Sequence, residues 1–290
     1  MKALLLAGGI GSRLFPVTLG VSKQLLPVYD KPMIYYPLSV LMQAGIREIM
    51  LISTPEDINL YQRLLEDGSQ WGIKLIYKIQ PKPNGLAQAF ILGEDFIDQD
   101  SVCLILGDNI FYGLDFAAQL KGIVKRTKKN QKATIFGYKV KNPQNYGVLE
   151  FDIYGKPVNI EEKPIQPKSK QAVVGLYFYP NKVIEIAKKC NPSSRGELEI
   201  TSVNQAFLEK NELIVEPLQN GFAWLDTGTH ESLLEAGQFI KTIEKRQGIK
   251  IGCLEEVAYQ QEFIDKKQLL KQAHRIKGAT YADYLLERYA

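Results

Sequence analysis

The sequence predicts an α/β fold: a Rossmann-like, doubly wound mixed sheet with helices on both faces and a helical C-terminal appendage. Three observations predict it. Through the first half, short apolar runs alternate with longer amphipathic segments, the pattern of β-α-β units. From Tyr146 the texture changes to alternating segments around a glycine turn, which reads as a hairpin. From Thr229 a long segment has apolar residues at helical spacing, and the remaining tail reads as helix.

Residues 2–7 form a short apolar run that stops at Gly8, as a buried strand does. Further strands are expected at 48–53, 74–78, 102–106 and 133–140, with helices at 32–44, 56–66, 86–96 and 116–128 between them. The hairpin spans 147–152 and 157–161 around Tyr154-Gly155, and 172–179 is another strand, closed by Pro180. Helices are expected at 183–189 and 200–209, the second with Glu199 near its start. Segments 214–217 and 222–225 look like strands returning to the sheet. Thr229 then N-caps a helix to about residue 246, with Leu233, Leu234, Ala236, Phe239, Ile240 and Ile243 on one side. Two more helical pieces lie near 265–273 and 280–288. The simplest partition is one compact unit at 1–228 and a helical region at 229–290. That unit would divide into parts at about 1–112 and about 113–228.

Composition excludes several classes. At 290 residues and 45% apolar, the chain has ample material for a core. Thirty-six basic against thirty-two acidic residues give +4, too small and scattered an excess for a nucleic-acid binder. Cys103, Cys190 and Cys253 are far apart and odd in number, so neither a disulfide framework nor a zinc spacing exists. Cys103 lies inside an apolar strand and reads as a small buried hydrophobe. No apolar stretch approaches the length of a membrane span. The opening Met1-Lys2 and apolar run mimic a secretory signal, but the run is too short and Gly-Gly followed by Arg13 gives no cleavage site. A reduced, soluble, cytoplasmic protein is expected. The basic runs 125–129 and 266–271 read as solvated helix faces.

The first strand runs straight into Gly8-Gly9-Ile10-Gly11-Ser12-Arg13. Glycines let the backbone turn sharply and approach a ligand, and amides in such a loop form an anion trap. Arg13 adds a planar fork of donors and Lys23 a point charge, together a cradle for a triphosphate. A plain connecting turn is the bland alternative. A dinucleotide fingerprint fails because Leu14 stands where the third glycine belongs, and no Gly-Lys-Ser/Thr completes a P-loop. In doubly wound sheets ligands sit beyond the carboxyl ends of strands. The loop from Gly8 and the turn Gly107-Asp108-Asn109 both occupy that position. A carboxylate at Asp108 suits a hard cation, or caps the helix or turn after it. Asp226, in Trp-Leu-Asp-Thr-Gly, suits a cation or caps the helix opened at Thr229. Spacing alone does not bring these two together.

Specific motifs carry a resemblance. Leu6-Ala-Gly-Gly-x-Gly-Ser-Arg-Leu-x-Pro16 and Ser22-Lys-Gln-Leu-Leu-Pro27 resemble the nucleotidyltransferases that make nucleotide sugars, most nearly those joining thymidylate to glucose 1-phosphate. Tyr29-Asp-Lys-Pro-Met-Ile-Tyr-Tyr-Pro37, Gly85-Leu-Ala-Gln-Ala-Phe90 and Leu106-Gly-Asp-Asn-Ile-Phe-Tyr-Gly113 extend it. So do Glu162-Lys-Pro164, Arg195-Gly-Glu-Leu-Glu-Ile-Thr201 and Trp224-Leu-Asp-Thr-Gly-Thr-His230, nearly to the end of the chain.

The resemblance implies the nucleotide-diphospho-sugar transferase type of fold, with a catalytic domain at 1–228 (nucleotide-binding at about 1–112, sugar-binding at about 113–228) and an assembly region at 229–290, and a defined reaction. The phosphate of glucose 1-phosphate attacks the α-phosphorus of dTTP in line and pyrophosphate leaves, the first step toward dTDP-rhamnose. It implies Mg2+ held by Asp108 and Asp226, and Arg13, Lys23 and Lys163 as the cations that offset phosphate charge. Gly8, Gly9, Gly11, Ser12, Gln24, Gln80, Pro81 and Gly85 would hold the nucleotide with Arg13, Lys23 and Asp108. An amide such as Gln80 both donates and accepts, which suits a pyrimidine edge. Asn109, Tyr146, Gly147, Glu162, Lys163, Val173 and Tyr177 would hold the sugar phosphate. A homotetramer and a second nucleotide site formed with the C-terminal helices are also implied. No nucleic acid or membrane partner is expected. Trp224 stacks on the ligand or merely packs. Glu197 or Glu199 lines the sugar side or anchors the helix. His230 reads as a satisfied polar residue and His274 as surface. UTP, ATP or another sugar phosphate, and a non-catalytic nucleotide-sugar-binding subunit, are the runners-up. The second is disfavoured by the presence of Arg13, Lys23, Asp108 and Asp226. A nicotinamide-dependent oxidoreductase is disfavoured by Leu14.

Overall fold

The glycine turn hangs from the middle strand of the sheet. A computed structural model describes residues 1–290. Strand β1 (Lys2–Leu6) leads through the glycine loop to a small hairpin, β2 (Pro27–Val28) and β3 (Lys31–Pro32), and then α1 (Tyr35–Gln43). Next come β4 (Glu48–Ser53), α2 (Ile58–Leu65), β5 (Lys74–Ile79), α3 (Gln88–Leu92), α4 (Glu94–Ile97) and β6 (Val102–Leu106). The centre holds β7 (Asn109–Tyr112), α5 (Phe116–Asn130), β8 (Ala133–Lys139), β9 (Gly147–Phe151), β10 (Pro157–Glu162) and β11 (Gln171–Tyr179). The chain ends with α6 (Val183–Lys189), α7 (Ile200–Glu209), β12 (Leu213–Pro217), β13 (Ala223–Asp226), α8 (His230–Gln247), α9 (Leu254–Gln260), α10 (Lys266–Arg275) and α11 (Thr280–Tyr289).

The nine-stranded sheet runs β10-β9-β11-β6-β1-β4-β5, with β8 also beside β11 and β12 beside β8. Strands β1, β4, β5 and β6 are parallel, whereas β11 is antiparallel to β6. The mixed, doubly wound sheet is therefore as expected. After Lys2, strand β1 is apolar because both its faces are covered. Ala3 and Leu5 enter a core of 36 buried residues on one side, and Leu4 and Leu6 enter one of 24 on the other. Each such leucine contributes about 1.5–3 kcal/mol by leaving water.

Four expectations need correction. Segment 222–225 does not return to the main sheet: β13 pairs with β7 in a separate ribbon. The turn at Gly107-Asp108 throws β7 off the sheet, and β13 goes with it, placing Asp226 opposite Asn109. The helix expected at 86–96 breaks at Gly93, where a Cβ would lie 2.9 Å from Leu4 Cδ2. The helix expected from residue 32 starts at Tyr35, because Lys31–Pro32 pairs with Pro27–Val28. The tail also contains α9, missed because Leu254–Gln260 is too short to show a period.

Thr229 caps α8 as expected, in a reciprocal box with Ser232. Ala236 and Ile240 on this helix pack against Val28, Met33, Tyr36 and Ile110, so the apolar stripe faces inward. Leu234 departs from it and is 63% exposed. Helix α8 thereby braces the hairpin that comes after Lys23.

Candidate active site

The loop after β1 is held open by its own chemistry. Gly9 and Gly11 have φ of 150° and 62°, and the Thr18 hydroxyl donates to the Gly11 carbonyl at 2.8 Å. Ser12 and Arg13 lie at the start of the next single helical turn, with Arg13 exposed. Lys23 and Gln24 sit on a second single turn and are both buried. Gln24 Oε1 accepts from the Ser22 hydroxyl at 3.0 Å, and Ser22 meets the Tyr61 hydroxyl at 2.7 Å.

Lys23 Nζ donates to Asp108 Oδ2 at 2.6 Å. Asp108 occupies the turn between β6 and β7, and its other oxygen accepts from Asn109 Nδ2 at 2.8 Å. Gly107 permits this turn: a Cβ there would lie 2.7 Å from the Leu6 carbonyl oxygen. The Thr227 hydroxyl donates to the Asp108 carbonyl at 2.9 Å, tying the end of β13 to the same turn. Asp226 arrives on β13 and accepts from the Tyr146 hydroxyl at 3.4 Å.

The two carboxylates differ in comfort. Burial would push Asp108 up, but the charge and hydrogen bond of Lys23 outweigh it and hold the carboxyl below its ordinary range. Burial and the negative charge of Asp108 raise Asp226, despite Lys23 and Arg13. A half-compensated acidic pair of this kind asks for another cation. No cluster of three or more His, Cys, Asp or Glu converges anywhere in the chain. Two carboxylates are thus the anionic donors on offer, a hard-oxygen set that fits Mg2+ completed by phosphate oxygens and water.

Arg13 reaches over Gly228. A Cβ at Gly228 would lie 2.6 Å from Arg13 Nη2 and 3.1 Å from Asp226 Oδ1, so the glycine leaves room for both groups.

The side expected to hold the sugar is built by β9, β10 and β11. Gly147 and Glu162 are register partners, and Thr201 donates to Glu162 Oε2 at 2.5 Å. Val173 and Tyr177 flank a break in the β8–β11 ladder. Within that break the Gly175 N–H donates to Asn109 Oδ1 at 3.1 Å. Lys163 has φ of 44°, uncommon for a side chain of its kind, and its N–H donates to the Tyr146 carbonyl at 3.0 Å. Tyr146 is pushed up to about 12 by burial and by Asp226, so it is a neutral donor.

One cavity of about 670 Å3 joins these parts. Gly8, Gly9, Gly11, Ser12, Arg13, Lys23 and Gln24 line one end of it. Asp108 and Asp226 lie along it with Asn109 and Tyr146. Gly147, Glu162, Lys163, Val173 and Tyr177 line the rest. Gln80, Pro81 and Gly85 are not in this lining. Gln80 lies beneath the glycine loop and donates to Gln88 Oε1 at 2.8 Å, Pro81 is exposed, and Gly85 packs on the backbone of Leu198.

Several wall residues were not singled out from sequence: Leu86, Leu106, Gly175, Ile200, Thr201 and Gly228. Thr201 closes the Arg195–Thr201 motif, which was a signal available to find it. Glu199 is the anchor, accepting from Ser193 at 2.7 Å and from Arg195 Nη2 at 2.8 Å, whereas Glu197 lines the cavity. Trp224 also lines it, 8% exposed. His230 lies outside, 3.3 Å from the Phe15 carbonyl, and His274 is at the surface.

Known proteins are similar to this chain in sequence and fold. The family model described as nucleotidyl transferase matches residues 2–243. The chain is 56% identical over 286 residues to a glucose-1-phosphate thymidylyltransferase of Neisseria gonorrhoeae, covering 99% of this chain and 98% of that one. It is 53% identical over 287 residues to one of Mycobacterium tuberculosis, covering 99% and 98%. Its fold is similar to the crystal structure of a candidate glucose-1-phosphate thymidylyltransferase of Bacillus anthracis in complex with a sucrose. The TM-score is 0.75 and the identity 39%, covering 82% of this chain and 94% of that one. A UDP-glucose pyrophosphorylase complexed with UDP-glucose shares the fold at a TM-score of 0.71 and 24% identity, covering 83% and 98%. The family model and these relatives match most of the chain, and the chain belongs to the nucleotidyl transferase family.

Proposed function

We infer that this enzyme joins dTTP and glucose 1-phosphate into dTDP-glucose and releases pyrophosphate. The observation that carries this is the convergence of Arg13, Lys23 and Lys163 with the Asp108–Asp226 pair in a single cavity. The obstacle to the reaction is repulsion between two polyanions, so cations and positioning are what an enzyme must supply. A sugar phosphate is already a nucleophile at neutral pH and needs no general base, in keeping with the positions of His230 and His274 outside the cavity.

The amides from Gly8 to Ser12 and the guanidinium of Arg13 receive the triphosphate. Lys23 is shared between Asp108 and the phosphates. Lys163 lines the cavity beside Glu162 and offsets the charge of the sugar phosphate. Glu162, fixed by Thr201, accepts sugar hydroxyls, with Val173 and Tyr177 as walls. Asp108 and Asp226 would hold Mg2+, which when bound would supply further charge neutralisation. Gln80, beneath the glycine loop, and Gly85, against Leu198, shape the base end.

We assign residues 1–228 to catalysis and 229–290 to assembly as a homotetramer. A further cavity of about 230 Å3, lined by Tyr112, Gly113, Lys250, Ile251 and Arg288, supports a second nucleotide site against the C-terminal helices. No helix is long and apolar enough to cross a membrane. The cytoplasm supplies both substrates and keeps Cys103, Cys190 and Cys253 as thiols. A matrix of nucleoside triphosphates against sugar phosphates, read as pyrophosphate release, tests the reaction. The pair dTTP and glucose 1-phosphate should give the highest kcat/KM, and a preference for UTP or ATP would overturn the substrate assignment. Light scattering should give four times the 32.8 kDa chain mass, and a monomer would refute the assembly.

A further inference from the structure

We propose that Trp224 is a positioning residue for the metal-binding carboxylate of Asp108, acting through Asn109. The proposal rests on the nucleotidyl-transfer reading above. The indole Nε1 donates to Asn109 Oδ1 at 2.7 Å, and the Gly175 N–H donates to the same oxygen at 3.1 Å. Asn109 Nδ2 in turn donates to Asp108 Oδ1 at 2.8 Å, while Lys23 takes Oδ2 at 2.6 Å. The amide orientation is unambiguous. A flipped Asn109 would turn its NH2 toward two N–H donors and its carbonyl toward a carboxylate, making all three contacts repulsive.

Each oxygen of Asp108 therefore has its own donor, and the carboxylate plane is set from both sides. Carboxylate ligands held in this way are pre-oriented for a metal, and their outer partners commonly matter about 10- to 100-fold in metal affinity. The route runs across the ribbon. Asp226 lies directly opposite Asn109, and Trp224 lies opposite Phe111, one diagonal step away on the same face. The indole itself is clamped edge-on by Tyr146 and Tyr138, with ring centroids at 5.1 and 5.7 Å. Tyr146 also donates to Asp226. One wall of the sugar cavity and both acidic residues thus form a single connected unit. Trp224 and Asn109 are 8% and 3% exposed, so water is a poor substitute for either lost partner.

The experiment uses Trp224→Phe, which keeps an aromatic ring and removes the N–H, and Asn109→Leu, which removes the relay. Mn2+ is titrated into each full-length protein and followed by electron paramagnetic resonance. The Mn2+ concentration giving half-maximal pyrophosphate release is measured beside it. Trp224→Phe is expected to weaken Mn2+ by about 10-fold or more, with kcat recovering at saturating metal and KM for glucose 1-phosphate unchanged. Asn109→Leu should weaken Mn2+ at least as much, and adding Trp224→Phe to it should change little further. Wild-type Mn2+ dependence in either variant, or a raised KM for glucose 1-phosphate as the sole effect of Trp224→Phe, would overturn the proposal and leave Trp224 as a sugar wall. If Trp224→Phe does not fold, Asn109→Leu decides alone. A parent protein that releases no pyrophosphate from any triphosphate would instead sink the functional reading.

Discussion

Glu244→Leu tests how the C-terminal helices are joined to the β2–β3 hairpin. Four charges close a square there. Lys31 Nζ meets Asp30 at 2.5 Å and Glu244 Oε1 at 2.9 Å. Lys250 Nζ meets Asp30 and, at 3.2 Å, Glu244 Oε2. Lys31 and Glu244 are 3% and 5% exposed, so this is not a surface network. Glu244 Oε1 also accepts from the Ile251 N–H at 2.9 Å. Leucine at 244 leaves two ammonium groups sharing one carboxylate, and an amide without a partner. Breaking a buried ion pair from one side costs about 3–5 kcal/mol, and an orphaned buried donor about 1–3 kcal/mol, so we expect about 4 kcal/mol, since such losses overlap. At about 2–4 °C per kcal/mol for a large domain, the melting temperature should fall by about 8–16 °C in calorimetry.

Lys250→Met added to Glu244→Leu leaves the neutral pair Asp30–Lys31 and should recover much of the loss. The pH dependence has a definite sign. Burial would raise Asp30, but Lys31 and Lys250 outweigh it and lower its pKa. Its contribution is present above the unfolded carboxyl's pKa and lost as pH falls through the depressed one. Burial would lower Lys250, but the hydrogen bond and charge of Asp30 and the charge of Glu244 outweigh it and raise its pKa. Its contribution is full below the unfolded ammonium's pKa and lost as pH rises through the raised one. The square is therefore fully effective at neutral pH and weakens only at both extremes. A Glu244→Leu protein within about 1 kcal/mol of the parent, the value of an exposed pair, would refute this reasoning. So would a double variant less stable than the single one.

Asp226→Asn should lower turnover by about 100-fold or more at limiting magnesium. It should not lower the metal-free melting temperature. Burial and Asp108 raise the pKa of Asp226, so its ionisation opposes folding: the penalty is absent below the unfolded carboxyl's pKa and complete above the raised folded one. Undiminished turnover at limiting magnesium would remove Asp226 from the metal shell. Lys23→Met should reduce kcat by about 100- to 1000-fold in a pyrophosphate-release assay, and a change confined to KM would show that Lys23 contributes only to ground-state binding. Gly85→Ala should destabilise by about 1 kcal/mol or more in urea titration, because φ is +102° and the new Cβ would lie 2.4 Å from the Leu198 carbonyl oxygen. An alanine variant as stable as the parent would show that the 80–86 loop moves freely from Leu198.

Local physics made much of this molecule readable before folding. Apolar runs, glycine stops and the Thr229 cap are decided by neighbours within a few residues, so β1, β4, β6, α6 and α7 lie where the pattern put them. The glycine loop with Arg13 and Lys23 was equally legible, since its chemistry is contiguous. Residues far apart in the chain were another matter. Asp108 and Asp226 meet because β7 leaves the sheet and β13 pairs with it, which no local period encodes. Trp224 gained its partner Asn109, and Glu244 its partner Lys31, across 115 and 213 residues. Lys163, unremarkable in an exposed Glu-Lys-Pro, lines the cavity with a positive φ that a sequence does not display. Helix and strand propensities act over a few residues, whereas electrostatic complementarity acts through space, and only the packed chain sets which charges are neighbours.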